Sequence, residues 1–184
     1  MRQSLPQRNP SVPEKLKLLI DRMATPIGEL VVIADENGRL RAVDWSDHEP
    51  RMLTLLARHC GRAGYTLTRQ PDPGGLSTAL RAYFKGDLGA INKLKVETDG
   101  TDFQRAVWRQ LRLIPCGKTI SYADLAQRVE KPKAVRAVGL ANGSNPISIV
   151  VPCHRVIGSD GSLTGYGGGL HRKQWLLEHE RAIG

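Results

Sequence analysis

Apolar residues in the first half of the chain fall into two rhythms. Leu30-Val31-Val32-Ile33 and Leu40-Arg41-Ala42-Val43-Asp44-Trp45 are short apolar runs on either side of Asp35-Glu36-Asn37-Gly38. An Asn-Gly pair between two such runs is a strong hairpin signal, because a tight turn needs residues that tolerate positive φ. From Pro50 to Gly61 the spacing becomes helical, with Met52, Leu55, Leu56 and His59 or Cys60 on one side, so Cys60 reads as a packing residue. Pro71-Asp72-Pro73-Gly74-Gly75 breaks the chain, and a second helix is predicted over Ser77 to Phe84, with Leu76, Leu80, Tyr83 and Phe84 on its apolar side. Leu88 to Val96 reads as a further short strand. Strands and helices together predict an α/β subdomain over residues 16–98. No nucleophiles, metal ligands or phosphate loop gather in it, and it reads as a scaffold.

After the linker Glu97-Thr98-Asp99-Gly100 the pattern is mainly helical. Thr101-Asp102-Phe103-Gln104 matches a capping box, and Phe103, Val107, Leu111 and Ile114 follow at intervals of three and four. Pro115-Cys116-Gly117 ends that helix. Ser121, paired with Asp124, caps a helix from Tyr122 to Val129. Lys131-Pro132-Lys133 is a turn, and a further helix is predicted from about Lys133 to Asn142. Two short helices and a brief turn suggest a helix-turn-helix. Gly139 inside the second helix costs about 1 kcal/mol relative to alanine, which a close approach by DNA or another helix would offset. A last helix is predicted from His171 to Glu180.

Composition narrows the class. The chain has 184 residues and 40% hydrophobic content, ordinary for a globular protein. No apolar run is long enough to cross a bilayer; the cluster Leu16 to Ile20 contains Lys17 and is too short for a signal-peptide core. Three cysteines without paired spacing suit a reducing compartment, and cytoplasm is the expectation. Residues 1–15, rich in proline and poor in apolar side chains, read as a disordered tail. The net charge of +9 is uneven: +3 on residues 1–17, zero on 18–100 and +6 on 101–184. A basic C-terminal half predicts a polyanionic partner for residues 99–184.

The chemistry concentrates at Pro152-Cys153-His154-Arg155-Val156, entered from Ile147-Ser148-Ile149-Val150-Val151. The β-branched run predicts a buried extended segment that delivers the thiol to a fixed place. A plain packing cysteine is the simpler reading. Against it stand the imidazole and guanidinium alongside, which are expensive to bury without partners and whose positive charge lowers the pKa of a neighbouring thiol. Cys116 also follows a proline but lies in a turn beside Gly117 and Lys118, and ranks below Cys153. Gly165-Tyr166-Gly167-Gly168-Gly169 is a glycine-rich loop without Walker or dinucleotide spacing.

With Arg136-Ala137-Val138-Gly139, Gly143-Ser144-Asn145-Pro146 and Trp175-Leu176-Leu177 in order around it, this stretch resembles the O6-alkylguanine-DNA alkyltransferases, or methylated-DNA–protein-cysteine methyltransferases, closest to the constitutive bacterial Ogt type. The resemblance covers nearly everything after Leu16. It implies an α+β chain: an N-terminal ribonuclease-H-like α/β subdomain, then a mainly helical, winged-helix-type DNA-binding subdomain. Cys153 would be the alkyl acceptor. His154 would take its proton through a water, Glu180 would orient the imidazole, and Asn145 would hold the preceding turn. Tyr122 would donate to guanine N3 and the Gly167 N–H would face O6. The carbonyls of Cys153 and Val156 would accept from the exocyclic amine, with Tyr166 and Lys173 also in the substrate site. Arg136 would intercalate from the minor groove in place of the flipped nucleotide, with Ala137, Gly139, Ser121, Tyr122 and Arg155 at the DNA.

The implied partner is double-stranded DNA carrying O6-alkylguanine or O4-alkylthymine, bound by a monomer, with no membrane, metal or cofactor. Each molecule would act once, because the thioether product is stable. Two features depart from the pattern. Some relatives have serine at the position of Gly167, and with no cysteine before Cys60 the chain lacks the N-terminal zinc site of others. Two rivals need excluding: a non-catalytic lesion binder, which would lack the acceptor thiol, and a Cys-His-Glu hydrolase, which would turn over without DNA.

Overall fold

The computed structural model describes residues 14–61 and 63–183; residues 1–13 of the stretch read as a tail lie outside the described residues. The strands are β1 (Leu16–Thr25), β2 (Gly28–Asp35), β3 (Leu40–Trp45) and β4 (Tyr65–Arg69), in the sheet order β3-β2-β1-β4. The predicted hairpin is β2–β3, antiparallel with Leu30 opposite Trp45. β1 pairs antiparallel with β2 and parallel with β4. Sequence periodicity did not predict β1 and β4. β4 is an edge strand with four of its five residues exposed, so little apolar patterning marks it.

Helices cover both faces of the sheet. α1 (Glu49–His59) packs Met52 and Leu56 against Leu18, Val31, Ile33 and Ala42. On the other face, Leu30, Val32 and Val43 meet Leu76, Leu80 and Tyr83 of α2 (Leu76–Phe84). A strand covered on both faces is apolar at consecutive positions rather than alternating, which accounts for Leu30-Val31-Val32-Ile33. Cys60 packs partly buried against the α1 side, as a packing residue would.

The C-terminal half holds α3 (Asp102–Arg112), α4 (Tyr122–Arg128), α5 (Val135–Gly143) and α6 (Leu170–His179). Between them the two-residue strands β5 (Ile120–Ser121) and β6 (Val156–Ile157) run parallel. Both predicted capping boxes form, Thr101 with Gln104 and Ser121 with Asp124; such a cap is worth about 1 kcal/mol. α5 begins two residues later than predicted, because Pro132 and Lys133 lie in the turn before it. Leu88 to Val96 is a series of turns rather than a strand, with Val96 alone bridging to Leu40. No helix among the described residues is long and apolar enough to cross a membrane.

One arrangement sets up the site. β3 lies at the sheet edge, and an open edge offers unpaired backbone groups. Leu40 N–H donates to the Lys95 carbonyl and Glu97 N–H to the Leu40 carbonyl. Further along, Val43 N–H donates to the Pro146 carbonyl at 3.0 Å and Ser148 N–H to the Val43 carbonyl at 2.8 Å. The start of the Cys153 segment is therefore docked directly on the N-terminal sheet.

Candidate active site

The run Ile147 to Val151 is not the predicted extended strand. Only Ile147 bridges to Val43; the chain then turns, Ile149 takes φ +71°, and Cys153–Arg155 form one 3-10 turn. These residues are apolar because they are wedged in the common core of both halves, not because they pair. A positive φ at a β-branched residue is strained, and the surroundings must hold it. Asn145 spans the turn: its Oδ1 accepts from Ile147 N–H at 3.0 Å. Its Nδ2 donates to the Val151 carbonyl at 2.8 Å, the Ile147 carbonyl at 3.2 Å and the Cys153 sulfur at 3.2 Å.

Cys153 is buried, and burial pushes its thiol above the ordinary value despite the Asn145 hydrogen bond and the nearby Lys173 charge. The sequence reading, in which adjacent positive charge lowers the thiol pKa, is thereby corrected: burial dominates, and Arg155 spends its charge on Glu180 rather than on the thiol. His154 is fully buried, and its Nε2 lies 2.9 Å from Glu180 Oε1. A ring nitrogen against a carboxylate carries the proton, leaving Nδ1 as the basic nitrogen. Nδ1 has no partner among the described residues. Burial holds the His154 pKa down although Glu180 pulls it up, so the imidazole is neutral at rest.

Arg155, expected at the DNA, is instead 5% exposed and engaged on three sides. Its Nε and one terminal nitrogen each reach a Glu180 oxygen at 2.8 Å, and the other terminal nitrogen reaches the Ile114 carbonyl at 2.6 Å. Burial opposes ionisation of Glu180, but His154 and Arg155 outweigh it and hold the carboxyl well below its usual range. The Tyr83 hydroxyl, from α2, also donates to Glu180 Oε1, at 2.7 Å. The half read as a scaffold thus contributes a direct contact to this network. Tyr83 sat in the helical apolar pattern, and nothing local marked its hydroxyl.

A second group of residues shapes the glycine loop. The Tyr122 hydroxyl donates to the carbonyls of Thr164 and Gly165, at 3.1 and 3.3 Å. Lys173 is fully buried, with Nζ donating to the Val156 carbonyl at 2.5 Å and the Thr164 carbonyl at 2.6 Å; burial lowers its pKa to about 8. The Tyr166 ring packs edge-on against His154, and its hydroxyl has no partner among the described residues. The N-terminal half closes over the loop. A Cβ on Gly167 would lie 2.6 Å from the Arg51 guanidinium, and one on Gly168 would run into the Trp45 indole. Arg51 is itself tied to Asp44 and to the Gly143 carbonyl, both at 2.6 Å.

On the outer face, Arg136 and Ala137 are exposed on α5, Gly139 and Ser121 are half-buried, and Tyr122 begins α4 beside them. A methyl group on Gly139 would meet the Tyr122 ring in ordinary contact at 3.9 Å. Packing within the protein therefore does not require glycine there.

Comparisons place this geometry among known proteins. Residues 19–98 match the 6-O-methylguanine DNA methyltransferase ribonuclease-like domain, and residues 102–182 match the DNA-binding domain of the same family. The methylated-DNA–protein-cysteine methyltransferase of Shigella flexneri is 56% identical over 165 residues, covering 90% of this chain and 96% of that one. The crystal structure of the Mycobacterium tuberculosis OGT in complex with DNA superposes with a TM-score of 0.73 at 38% identity, covering 91% of this chain and 94% of the other. The O6-methylguanine-DNA methyltransferase of Pyrococcus kodakaraensis superposes with a TM-score of 0.66 at 26% identity, over 89% of this chain and 98% of its own.

Proposed function

The chain belongs to the 6-O-methylguanine DNA methyltransferase family, and from that premise we propose which residues perform its reaction and on which substrates. It is a DNA-binding repair protein that transfers the methyl group of methylated guanine to a cysteine of its own. The acceptor is Cys153. The observation that carries this assignment is the pairing of a buried thiol, held by Asn145, with an adjacent neutral imidazole whose other nitrogen is fixed on Glu180. Cys60 follows His59, but it lies in the α1 packing and that imidazole packs edge-on against Trp108 instead of being fixed on a carboxylate as His154 is; Cys116 lies in a turn between Pro115 and Gly117.

The resting site is a neutral thiol and a neutral imidazole beside a Glu180–Arg155 ion pair. The thiol proton passes through a water to His154 Nδ1. The thiolate attacks the methyl carbon, the S–C bond forms as the C–O6 bond breaks, and the electron pair stays with guanine. Guanine regains at N1 the proton that the thiol gave up, and S-methylcysteine remains. Because Arg155 already balances Glu180, the new imidazolium charge is balanced by the thiolate; Glu180 mainly fixes the ring and its tautomer. This follows the base-plus-orienter logic of activated nucleophiles.

Tyr122 and the Gly167 N–H stabilise negative charge on the departing base. Arg136 enters the minor groove and fills the space of the extruded nucleotide, with Ala137 and Gly139 giving the helix its close approach. Base extrusion is cheapest for a poorly paired lesion, which contributes to selectivity. The substrates are O6-alkylguanine and O4-alkylthymine in duplex DNA, and the protein acts as a monomer, once. The test uses Cys153→Ser. This variant is expected to bind an O6-methylguanine duplex within threefold of the wild type and transfer no methyl group; retained transfer would remove Cys153 from the acceptor role.

A further inference from the structure

Four buried side-chain polar atoms have no hydrogen-bond partner among the described residues: Trp45 Nε1, Asn142 Oδ1, His154 Nδ1 and the Tyr166 hydroxyl. Such atoms are uncommon enough in a native protein that each calls for a cause. For His154 Nδ1 the cause is its role as base. Asn142 Oδ1 has none in the reaction as described above.

Asn142 is 1% exposed, on the inner side of α5, the helix that presents Arg136. Its Nδ2 lies 3.4 Å from the Cys153 carbonyl, a long and weak hydrogen bond. Its amide is also among the groups that pull back the burial-raised pKa of the Tyr122 hydroxyl. It therefore adjoins two atoms assigned to the base site. Both carbonyls assigned to the exocyclic amine are already engaged: Cys153 by Asn142, and Val156 by Lys173 at 2.5 Å. Asn142 Oδ1 is a buried acceptor beside them with no partner among the described residues.

We propose that Asn142 reads the extruded base and sets the balance between guanine and thymine lesions. This rests on the function proposed above and deepens it. Oδ1 accepts a hydrogen bond from the 2-amino group of O6-alkylguanine. A carboxamide carries its donor and acceptor in one plane on opposite sides of the Cβ–Cγ bond, and a half-turn about that bond exchanges them. Turned over, Nδ2 donates to the O2 oxygen of O4-alkylthymine, which has no amine to offer. One side chain thus serves two bases of opposite polarity at the same edge. A site built around a hydrogen bond discriminates strongly against an analogue that lacks it.

The test compares single-turnover rates on duplexes carrying O6-methylguanine, O6-methylhypoxanthine (the same base without the 2-amino group) or O4-methylthymine. The wild type is expected to react about tenfold faster with guanine than with the hypoxanthine analogue, one hydrogen bond's worth. In Asn142→Leu that ratio is expected to fall towards one through loss on guanine, with a similar loss on thymine. The hypoxanthine rate, held within threefold, reports an intact site. Asn142→Ser provides the same comparison if the leucine variant does not fold. Equal wild-type rates on guanine and hypoxanthine, or equal slowing of both in the variants, would overturn the role of Asn142. Failure of the wild type on all three duplexes would overturn the underlying function, and this inference with it.

Discussion

Replacing Tyr83 by phenylalanine removes one oxygen and, by this account, uncouples the N-terminal half from the active-site network. The Tyr83 hydroxyl is fully buried and donates to Glu180 Oε1 at 2.7 Å, while Glu180 is 2% exposed. A hydrogen bond to a charged group is worth about 1.5–3 kcal/mol. The phenylalanine ring keeps the packing against Phe84 and His179, and no donor is left stranded. For a chain of this length 1 kcal/mol moves the melting temperature by about 2–4 °C. Tyr83→Phe is therefore expected to melt about 3–12 °C lower, read by tryptophan fluorescence or calorimetry. Glu180 keeps its contacts with His154 and Arg155, so methyl transfer at 25 °C should fall by less than tenfold. A loss of stability below about 0.5 kcal/mol would show that Arg155 and His154 satisfy the carboxylate without the hydroxyl, and the coupling of the two halves through Tyr83 would be refuted.

Other outcomes follow from the same geometry. Gly168→Ala drives a methyl group into the Trp45 indole and should destabilise by about 1–3 kcal/mol, as overpacking does. A Cβ on Gly167 first meets the end of the Arg51 side chain, which can withdraw by loosening its contacts with Asp44 and the Gly143 carbonyl. Gly167→Ala should therefore cost about 1 kcal/mol, less than Gly168→Ala; equal losses in the two denaturation curves would contradict the loop packing. The Glu180 carboxyl is held below its ordinary value of 4.5, so its contribution is present above that pH and lost as pH falls towards the folded value. Glu180→Gln should be less stable at neutral pH and show a shallower loss of stability below about pH 4.5; an unchanged acid slope in urea titrations would count against the ion pair. Arg136→Ala should slow repair of duplex DNA far more than reaction with free O6-benzylguanine, and equal slowing of both would remove the intercalating role.

What could be read from the chain without the structure was the local part. The Asn37-Gly38 turn and the capping boxes at Thr101 and Ser121 depend on residues within four positions of one another. The contacts that define the site do not. Arg155 stands beside Cys153 in the chain, which suggested charge at the thiol or at DNA, but its partners Glu180 and the Ile114 carbonyl lie 25 and 41 residues away. Ile147 to Val151 has strand composition because it is buried between two halves, and composition alone does not separate a buried turn from a buried strand. Tyr83, Trp45 and Arg51 belong to patterns that packing or solvation fully explains. Only the fold brings them against Glu180, Gly168 and Gly167.

The central claim is that the buried Cys153 thiol is consumed as a reagent. Titrating the protein with a duplex carrying labelled O6-methylguanine, followed by peptide mapping, tests it most directly. Transfer should saturate at one methyl group per chain, all of it on Cys153, with Cys60 and Cys116 unlabelled. More than one methyl group per chain, or label on either other cysteine, would contradict the account.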